Sequence, residues 1–264
     1  MELYEKIINE KNFFLIAGPC AIEEESLMLE TASFLKNEAQ ERDITFIFKS
    51  SYKKANRTSI NSPTGVGLKT GLKILSKIKK KLDIPIITDV HETKEIKKVT
   101  QVADIIQIPA FLCRQTELIT AAAQTGTIVN LKKGQFMAPE DMEEACKKVT
   151  SQNNFQILLT ERGSCFGYHN LVVDFRGFSI LADTGYPVVF DVTHSLQRPS
   201  IKKTSGGTPE YAEMMAKAGL ATGMVKGLFL ETHPHPMEAI SDSSSMLPLN
   251  QIPELLDNCL KIIQ

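Results

Sequence analysis

Eight short runs rich in β-branched and aromatic residues recur along the chain, separated by stretches in which apolar residues return at helical spacing. The runs are FFLIAG (13–18), ITFIFKS (44–50), PIITDV (85–90), DIIQIP (104–109), GTIVNLK (126–132), FQILLTE (155–161), PVVFDVTH (187–194) and GLFLETH (227–233). A strand with one wet face alternates apolar and polar residues. These runs are almost continuously apolar instead, as strands are when a parallel sheet is covered on both faces. After the first run, Met28, Ala32, Leu35 and Ala39 mark one helix face; after the second, Leu68, Leu72, Leu75 and Leu82 mark another. Thr208 before Pro209 predicts an N-cap with proline in the first helical position, and Gly219 predicts that helix's end. Strand-then-helix units with no Ser/Gly-rich linker and no shift in composition predict an α/β fold. The expected form is a closed (β/α)8 TIM barrel, one domain over residues 1–264. A doubly wound open sheet is the structural alternative.

Charge narrows the partners. With 30 basic and 31 acidic residues the formal net charge is -1, which argues against a surface built to attract nucleic acid or anionic lipid. Any anion recognition is therefore local. The basic run KIKKKLD (77–83) falls on a helix with an apolar opposite face and reads as solvated surface. Cys20, Cys113, Cys146, Cys165 and Cys259 are odd in number, widely spaced and form no CxxC pair, so no disulfide framework is expected. The first residues, MELYEKIINEKN, lack a signal-peptide core, and no apolar run reaches membrane-spanning length. A cytoplasmic protein is expected.

In a barrel of this kind the C-terminal strand ends converge on the face that carries the active site. Here those ends carry Lys49, Asp89, Gln107, Lys132, Lys133, Glu161, Arg162, Asp191, His194 and Glu231. Lys49, Lys54, Arg57, Lys133 and Arg162 form a cationic group suited to phosphate and carboxylate. The segment SYKKANRTSINSPTGVG (51–67) adds Lys53, Thr58 and Ser59 in a loop that Gly65 and Gly67 leave free to wrap a phosphate. It is not a GxxxxGK[ST] loop, so a nucleotide is not indicated. Cys20, His194, Glu231 and Asp242 form a second group whose donors suit Zn, Fe(II) or Mn. The first, seventh and eighth strands that bring them would be neighbours in a closed barrel. No two of these residues sit at a helical or CxxC interval, and on spacing alone Cys20 reads as a packed core thiol.

The motifs IAGPCAIE, FKSSYKKANRTS, IPAFLCRQT, NLKKGQFMAP, LLTERG, FDVTHSLQ and LFLETHPHP, in this order, resemble the 3-deoxy-D-manno-octulosonate 8-phosphate synthase family. The resemblance runs from about residue 13 to about residue 250. It implies a homotetrameric, cytoplasmic (β/α)8 transferase that condenses phosphoenolpyruvate with D-arabinose 5-phosphate and releases phosphate, for lipopolysaccharide biosynthesis. Carried onto this chain, it implies that Lys54, Lys133 and Arg162 hold phosphoenolpyruvate, with Lys49 beside them and Pro109 and Ala110 nearby. Arg57 and Thr58 would bind the pentose phosphate, which Arg114 would reach from a neighbouring subunit. Asn56 and Asp89 would address sugar hydroxyls or the metal-bound water, and with Lys54 and His194 they are the expected catalytic residues.

One branch of that family has asparagine at the position of Cys20 and works without metal; the other has cysteine and needs a divalent ion. This chain resembles the metal-dependent branch, with Cys20, His194, Glu231 and Asp242 as ligands. It departs at Thr58, where serine is common, and in SDSSS (241–245), a variable stretch. The irregular loop from Thr232 to Leu249 is expected to order over the site on substrate binding. His233 and His235 are expected to pack at the surface. Two alternatives are weighed. The related 3-deoxy-D-arabino-heptulosonate 7-phosphate synthases take erythrose 4-phosphate, but carry KPRT where this chain has KANR (54–57). A non-catalytic sugar-phosphate sensor should have lost some of the charged strand ends, and none is missing.

Overall fold

The structure is a computed structural model that describes residues 2–57, 60–199 and 206–263. The apolar runs form β1 (Phe14–Gly18), β2 (Phe46–Lys49), β3 (Ile86–Asp89), β4 (Ile105–Ile108), β5 (Ile128–Lys132), β6 (Ile157–Glu161), β7 (Val188–Asp191) and β8 (Val225–His233). Each is parallel to its neighbours, and β8 returns to β1 with Phe14 opposite Gly227 and Gly18 opposite Glu231. The sheet is thereby a closed α/β barrel, not the open alternative. Around it run α2 (Glu25–Gln40), α3 (Leu68–Leu82), α4 (Thr93–Val99), α5 (Thr116–Ala123), α6 (Met142–Thr150), α7 (Arg176–Ala182), α8 (Ala212–Ala221) and α9 (Ile252–Ile263).

Side chains alternate across a strand, so each strand feeds two cores. Outward residues such as Leu15, Phe48 and Leu131 meet Met28, Ala32, Leu35, Ala39 and Leu75 of the helices. Inward, Phe14, Ile16, Ile47, Ile87, Ile105, Ile128, Leu158, Val189 and Phe229 make an apolar tier that Ile7 of α1 (Leu3–Ile8) joins. Six residues are too few for a helix stable by itself. Burial of Ile7 and the Tyr4 hydroxyl, which donates to the Ile157 carbonyl at 3.2 Å, hold α1 in place. Two residues beyond this tier, the same pleat turns Lys49, Asp89, Gln107, Asn130 and Glu231 inward, all buried. The charged tier at the mouth is thus the continuation of the apolar one.

Three expectations need correction. The seventh run stops being a strand at Asp191, and Val192–Ser195 is a helical turn whose His194 N–H is capped by Asp191 Oδ1 at 3.0 Å. Gly219 does not end its helix: α8 runs through it to Ala221, and the glycine lets α8 approach the barrel, since a Cβ there would lie 2.6 Å from the Phe190 ring. The start of that helix is as expected in position: Thr208 is the N-cap and Pro209 opens the 3-10 turn Pro209–Tyr211 that leads into α8, though the Thr208 side chain makes no cap bond. His233, third, is not at the surface. It ends the long strand β8, covered by Leu247–Pro248 pairing alongside, and is only 1% exposed, whereas His235 is exposed. The 77–83 run is the solvated end of α3, with Lys77 paired to Glu25 and Lys79 to Asp104. Among the described residues no helix is long and apolar enough to cross a membrane.

Candidate active site

Two adjoining cavities occupy the C-terminal mouth. The inner one, about 190 Å³, is lined by Lys49, Lys54, Asp89, Lys132, Arg162 and His194, with Pro109 and Ala110 on its wall. The outer one, about 410 Å³, shares Lys54, Asn56, Arg162 and His194 and extends to Arg57 and the 239–243 segment. Gly18 makes the first strand's turn into this region possible, since a Cβ there would lie 2.1 Å from the Lys49 carbonyl oxygen.

The inner cations are buried and neutralised by a few carboxylates. Lys49 Nζ lies 2.8 Å from Glu231 Oε1, Lys54 Nζ lies 3.7 Å from the same oxygen, and Lys132 pairs with Asp191. Burial alone would raise the Glu231 pKa, but Lys49, Lys54 and His194 outweigh it and hold the carboxyl well below its usual range. Burial lowers the pKa of Lys132 despite Asp191. Its ammonium sits 4.1 Å from the centre of the Phe229 ring, a cation–π contact at the floor of the site. Arg162 donates to Gln197 Oε1 at 3.2 Å, and Gln197 Nε2 donates to Asp242 Oδ1 at 3.1 Å. That amide ties the cationic chamber to the acidic cluster beside it.

On the opposite wall, His91 Nε2 lies 3.0 Å from Asp89 Oδ2. Burial opposes ionisation of Asp89, yet the His91 bond and the nearby lysines hold its pKa well below the carboxylate norm. Its other oxygen, Oδ1, is buried without a hydrogen-bond partner among the described residues, an acceptor left for a ligand. The Tyr52 hydroxyl donates to Glu95 Oε2 at 2.8 Å and fixes the start of the loop that carries Lys54, Asn56 and Arg57. Arg57 itself is half-buried at the rim, donating to Ser241 Oγ at 2.8 Å and to the Ile240 carbonyl at 3.2 Å.

Ligand atoms of Cys20, Glu231 and Asp242 all lie within 4.8 Å of one another. The Cys20 thiol donates to Asp242 Oδ2 at 2.8 Å, and burial together with Asp242 and Glu231 pushes its pKa well up. Glu231 Oε2 is buried with no hydrogen-bond partner among the described residues. A thiol sharing its proton with a carboxylate, beside an orphaned carboxylate oxygen, is a donor set that a divalent cation would satisfy by displacing that proton. The residues therefore fit a metal. His194 stands next to the trio, its Nε2 3.7 Å from Glu231 Oε2. The other buried thiols are ordinary: burial pushes Cys146 and Cys259 to about 12.

Not every expected residue faces these cavities. Lys133 points outward from the barrel, donating to the Met137 carbonyl at 3.1 Å and Ser164 Oγ at 3.2 Å, 3.4 Å from Glu161. The strand pleat explains this: Ile128, Asn130 and Lys132 are in phase, so the inward lysine is Lys132. Arg114, expected to serve a neighbouring subunit's site and not its own, is exposed and lines a separate surface hollow with Cys113, Met137 and Lys148. Asn56 is exposed at the junction of the two cavities. Thr58 lies outside the described residues. The sequence places Lys132 among the charged strand ends but does not mark it over Lys133 for substrate, and it singles out neither His91 nor Gln197; counting the pleat from the buried tier selects Lys132, whereas the other two are brought in by turns that no periodicity marks.

The sequence pattern of the DAHP synthetase I family matches residues 4–262. A 2-dehydro-3-deoxyphosphooctonate aldolase of Geotalea daltonii is 48% identical over 252 residues, 95% of this chain and 92% of its own. Proteins of the same name from Desulfatibacillum aliphaticivorans and Fusobacterium nucleatum are each 50% identical, covering 94% and 96% of this chain and 91% of their own. With the match spanning the strands, the mouth and the acidic cluster alike, the chain belongs to the DAHP synthetase I family.

Proposed function

We propose that the chain is a 2-dehydro-3-deoxyphosphooctonate aldolase, an activity also named 3-deoxy-D-manno-octulosonate 8-phosphate synthase, acting in lipopolysaccharide biosynthesis. It joins phosphoenolpyruvate to D-arabinose 5-phosphate. The observation that carries this reading is the pair of adjoining cavities, the inner ringed by Lys49, Lys54, Lys132 and Arg162 and the outer ending at Arg57. Such a site holds two phosphorylated substrates end to end. The names of the relatives and the KANR segment favour the five-carbon aldose over erythrose 4-phosphate, and the complete cation set disfavours a non-catalytic sensor.

In the reaction, C3 of phosphoenolpyruvate attacks the aldehyde carbon and forms the new C–C bond. The aldehyde oxygen takes a proton and becomes a hydroxyl. Positive charge develops at C2, water adds there and gives up one proton, and as the C2–O bond to phosphate breaks the new hydroxyl gives up its second proton and becomes the keto oxygen, leaving the 2-keto acid and protonated inorganic phosphate. Lys54, Lys132 and Arg162 hold the phosphate and carboxylate of phosphoenolpyruvate, with Lys49 beside them. Because these cations are fixed before substrate arrives, they stabilise the anions without reorganising. Lys132 takes the place first expected of Lys133. Arg57, with Thr58 of the same loop, binds the distal phosphate of the aldose, and Asn56 and the free oxygen of Asp89 receive its hydroxyls. Cys20, His194, Glu231 and Asp242 would hold a divalent ion, whose Lewis acidity would polarise the aldehyde or lower the pKa of water.

The whole of residues 1–264 is read as one catalytic unit that works as a homotetramer in the cytoplasm, with Arg114 entering a neighbour's site. Exposed Phe111, Phe136, Phe166 and Tyr168 on the loops after β4, β5 and β6 support an apolar contact between copies at that end. The activity is tested by incubating the protein with both substrates and measuring phosphate and the eight-carbon product. Chelator treatment and re-addition of single divalent ions then test the metal. The reading expects product that falls with chelation and returns with metal; no phosphate release with the metal-replete protein would remove the enzymatic reading, and full activity in a verified metal-free sample would remove the metal alone.

A further inference from the structure

We propose that Asp191 is a positioning residue for the metal centre: it grips the Nδ1 side of the His194 imidazole, and Lys132 anchors it from the cavity. The inference rests on the reading of His194 as a ligand. Asp191 ends β7 fully buried, and the turn that follows brings His194 back over it. Its Oδ1 accepts from the His194 backbone N–H at 3.0 Å, and the imidazole Nδ1 lies 3.0 Å from Oδ1 and 2.9 Å from Oδ2. Oδ1 thus holds both the turn and the ring, while Oδ2, close to Nδ1 but not hydrogen-bonded to it, is the oxygen that pairs with Lys132. A cap on a four-residue turn needs only the backbone bond, so the contacts to Nδ1 ask for a further reason.

That reason lies on the far side of the ring. When Nδ1 carries the proton and donates it to Asp191, Nε2 keeps its lone pair, which is the atom a cation binds. Nε2 is also the atom nearest Glu231 Oε2, at 3.7 Å, and that oxygen has no hydrogen-bond partner among the described residues. The Phe229 ring closes the cage: its centre is 5.8 Å from that of His194 and 4.1 Å from the Lys132 ammonium, which pairs with Asp191. Three chain segments, β5, β7 and β8, therefore fix one imidazole. Lys132 belongs at once to this cage and to the anion chamber, so the same lysine that faces phosphoenolpyruvate keeps the carboxylate in place.

The test is a cobalt(II) titration of the metal-free protein, read by the thiolate-to-cobalt absorption band that Cys20 would give. Wild-type protein is expected to develop the band. Asp191→Asn is expected to bind cobalt about 10- to 100-fold more weakly while reaching the same band at saturation, because the thiolate ligand is untouched. The double variant Asp191→Asn with Lys132→Met, which removes the ammonium left without its carboxylate, guards against misfolding and should show the same weakening. Cobalt affinity equal to wild type in either folded variant would overturn the inference. Absence of the band in wild-type protein would instead overturn the metal-centre reading on which it stands.

Discussion

Lys132 and Lys133 are neighbours in sequence and do opposite work. Lys132 faces the inner cavity, and Lys133 is enclosed between the barrel and its outer layer with Glu161. Replacing Lys132 with methionine should lower kcat/KM by at least about 100-fold, roughly 2.7 kcal/mol, and should also make unfolding in urea easier, because buried Asp191 loses its lysine. Lys133→Met should leave kcat/KM within a few-fold while making unfolding easier by about 3 kcal/mol, because buried Glu161 then keeps only the backbone N–H groups of Arg162 and Gly163. Steady-state kinetics on the two variants separates the roles, and urea titration reports the lost ion pair in each. Asp89 gives a pH signature. Its folded pKa is depressed, so its contribution to stability is complete above the ordinary carboxylate value of about 3.9 and is lost as pH falls below it. The gap in urea midpoint between wild type and Asp89→Asn should therefore narrow from pH 5 to pH 2; a constant gap would contradict the His91 pairing. At this scale the sequence is legible where a charge follows an apolar strand in phase, as Lys49 and Asp89 do. It misleads where two like residues adjoin, because composition does not say which way each one points.

Among the elements, the strands are the most readable, since burial on both faces demands uninterrupted apolar runs of strand length. The seventh run is over-read by three residues because Val192 and Thr193 are β-branched yet sit in a turn that Asp191 caps. Gly219 shows the opposite error: glycine suggests a helix end, but here it serves the contact of α8 with Phe190. Gly219→Ala makes the two accounts give opposite signs. Helix propensity alone predicts stabilisation by about 1 kcal/mol, whereas the 2.6 Å approach to Phe190 predicts a net loss of about 1–3 kcal/mol. Thermal or urea unfolding decides, and a stabilised variant would show that α8 can move off the barrel freely. The loop expected to be irregular from Thr232 onward begins instead as the end of β8, where Leu247 and Pro248 pair with Thr232 and His233. The expected ordering on substrate binding would therefore be confined to the stretch between, which carries Asp242.

For the molecule as a whole, closure of the barrel is what makes a site. Cys20 and Asp242 are 222 residues apart in the chain, yet the thiol donates to that carboxylate at 2.8 Å because β8 pairs with β1. No spacing rule on the sequence reveals such a meeting; only the count of strand-helix units, which predicts closure, brings the two ends together. Assembly is the next level. If Arg114 completes a neighbour's site, then mixing Arg114→Ala subunits with Lys132→Met subunits, each poorly active alone, should restore activity above both parents after subunit exchange. Simple addition of the two residual activities would place Arg114 outside the site. The central claim is the pairing of two phosphorylated substrates in adjoining cavities, and the most direct measurement is kcat/KM with phosphoenolpyruvate and either D-arabinose 5-phosphate or erythrose 4-phosphate in metal-replete protein. The account predicts efficient turnover with the five-carbon sugar and at least about a tenfold lower value with the four-carbon one, the worth of a few lost hydroxyl and phosphate contacts. Turnover with erythrose 4-phosphate alone would contradict it.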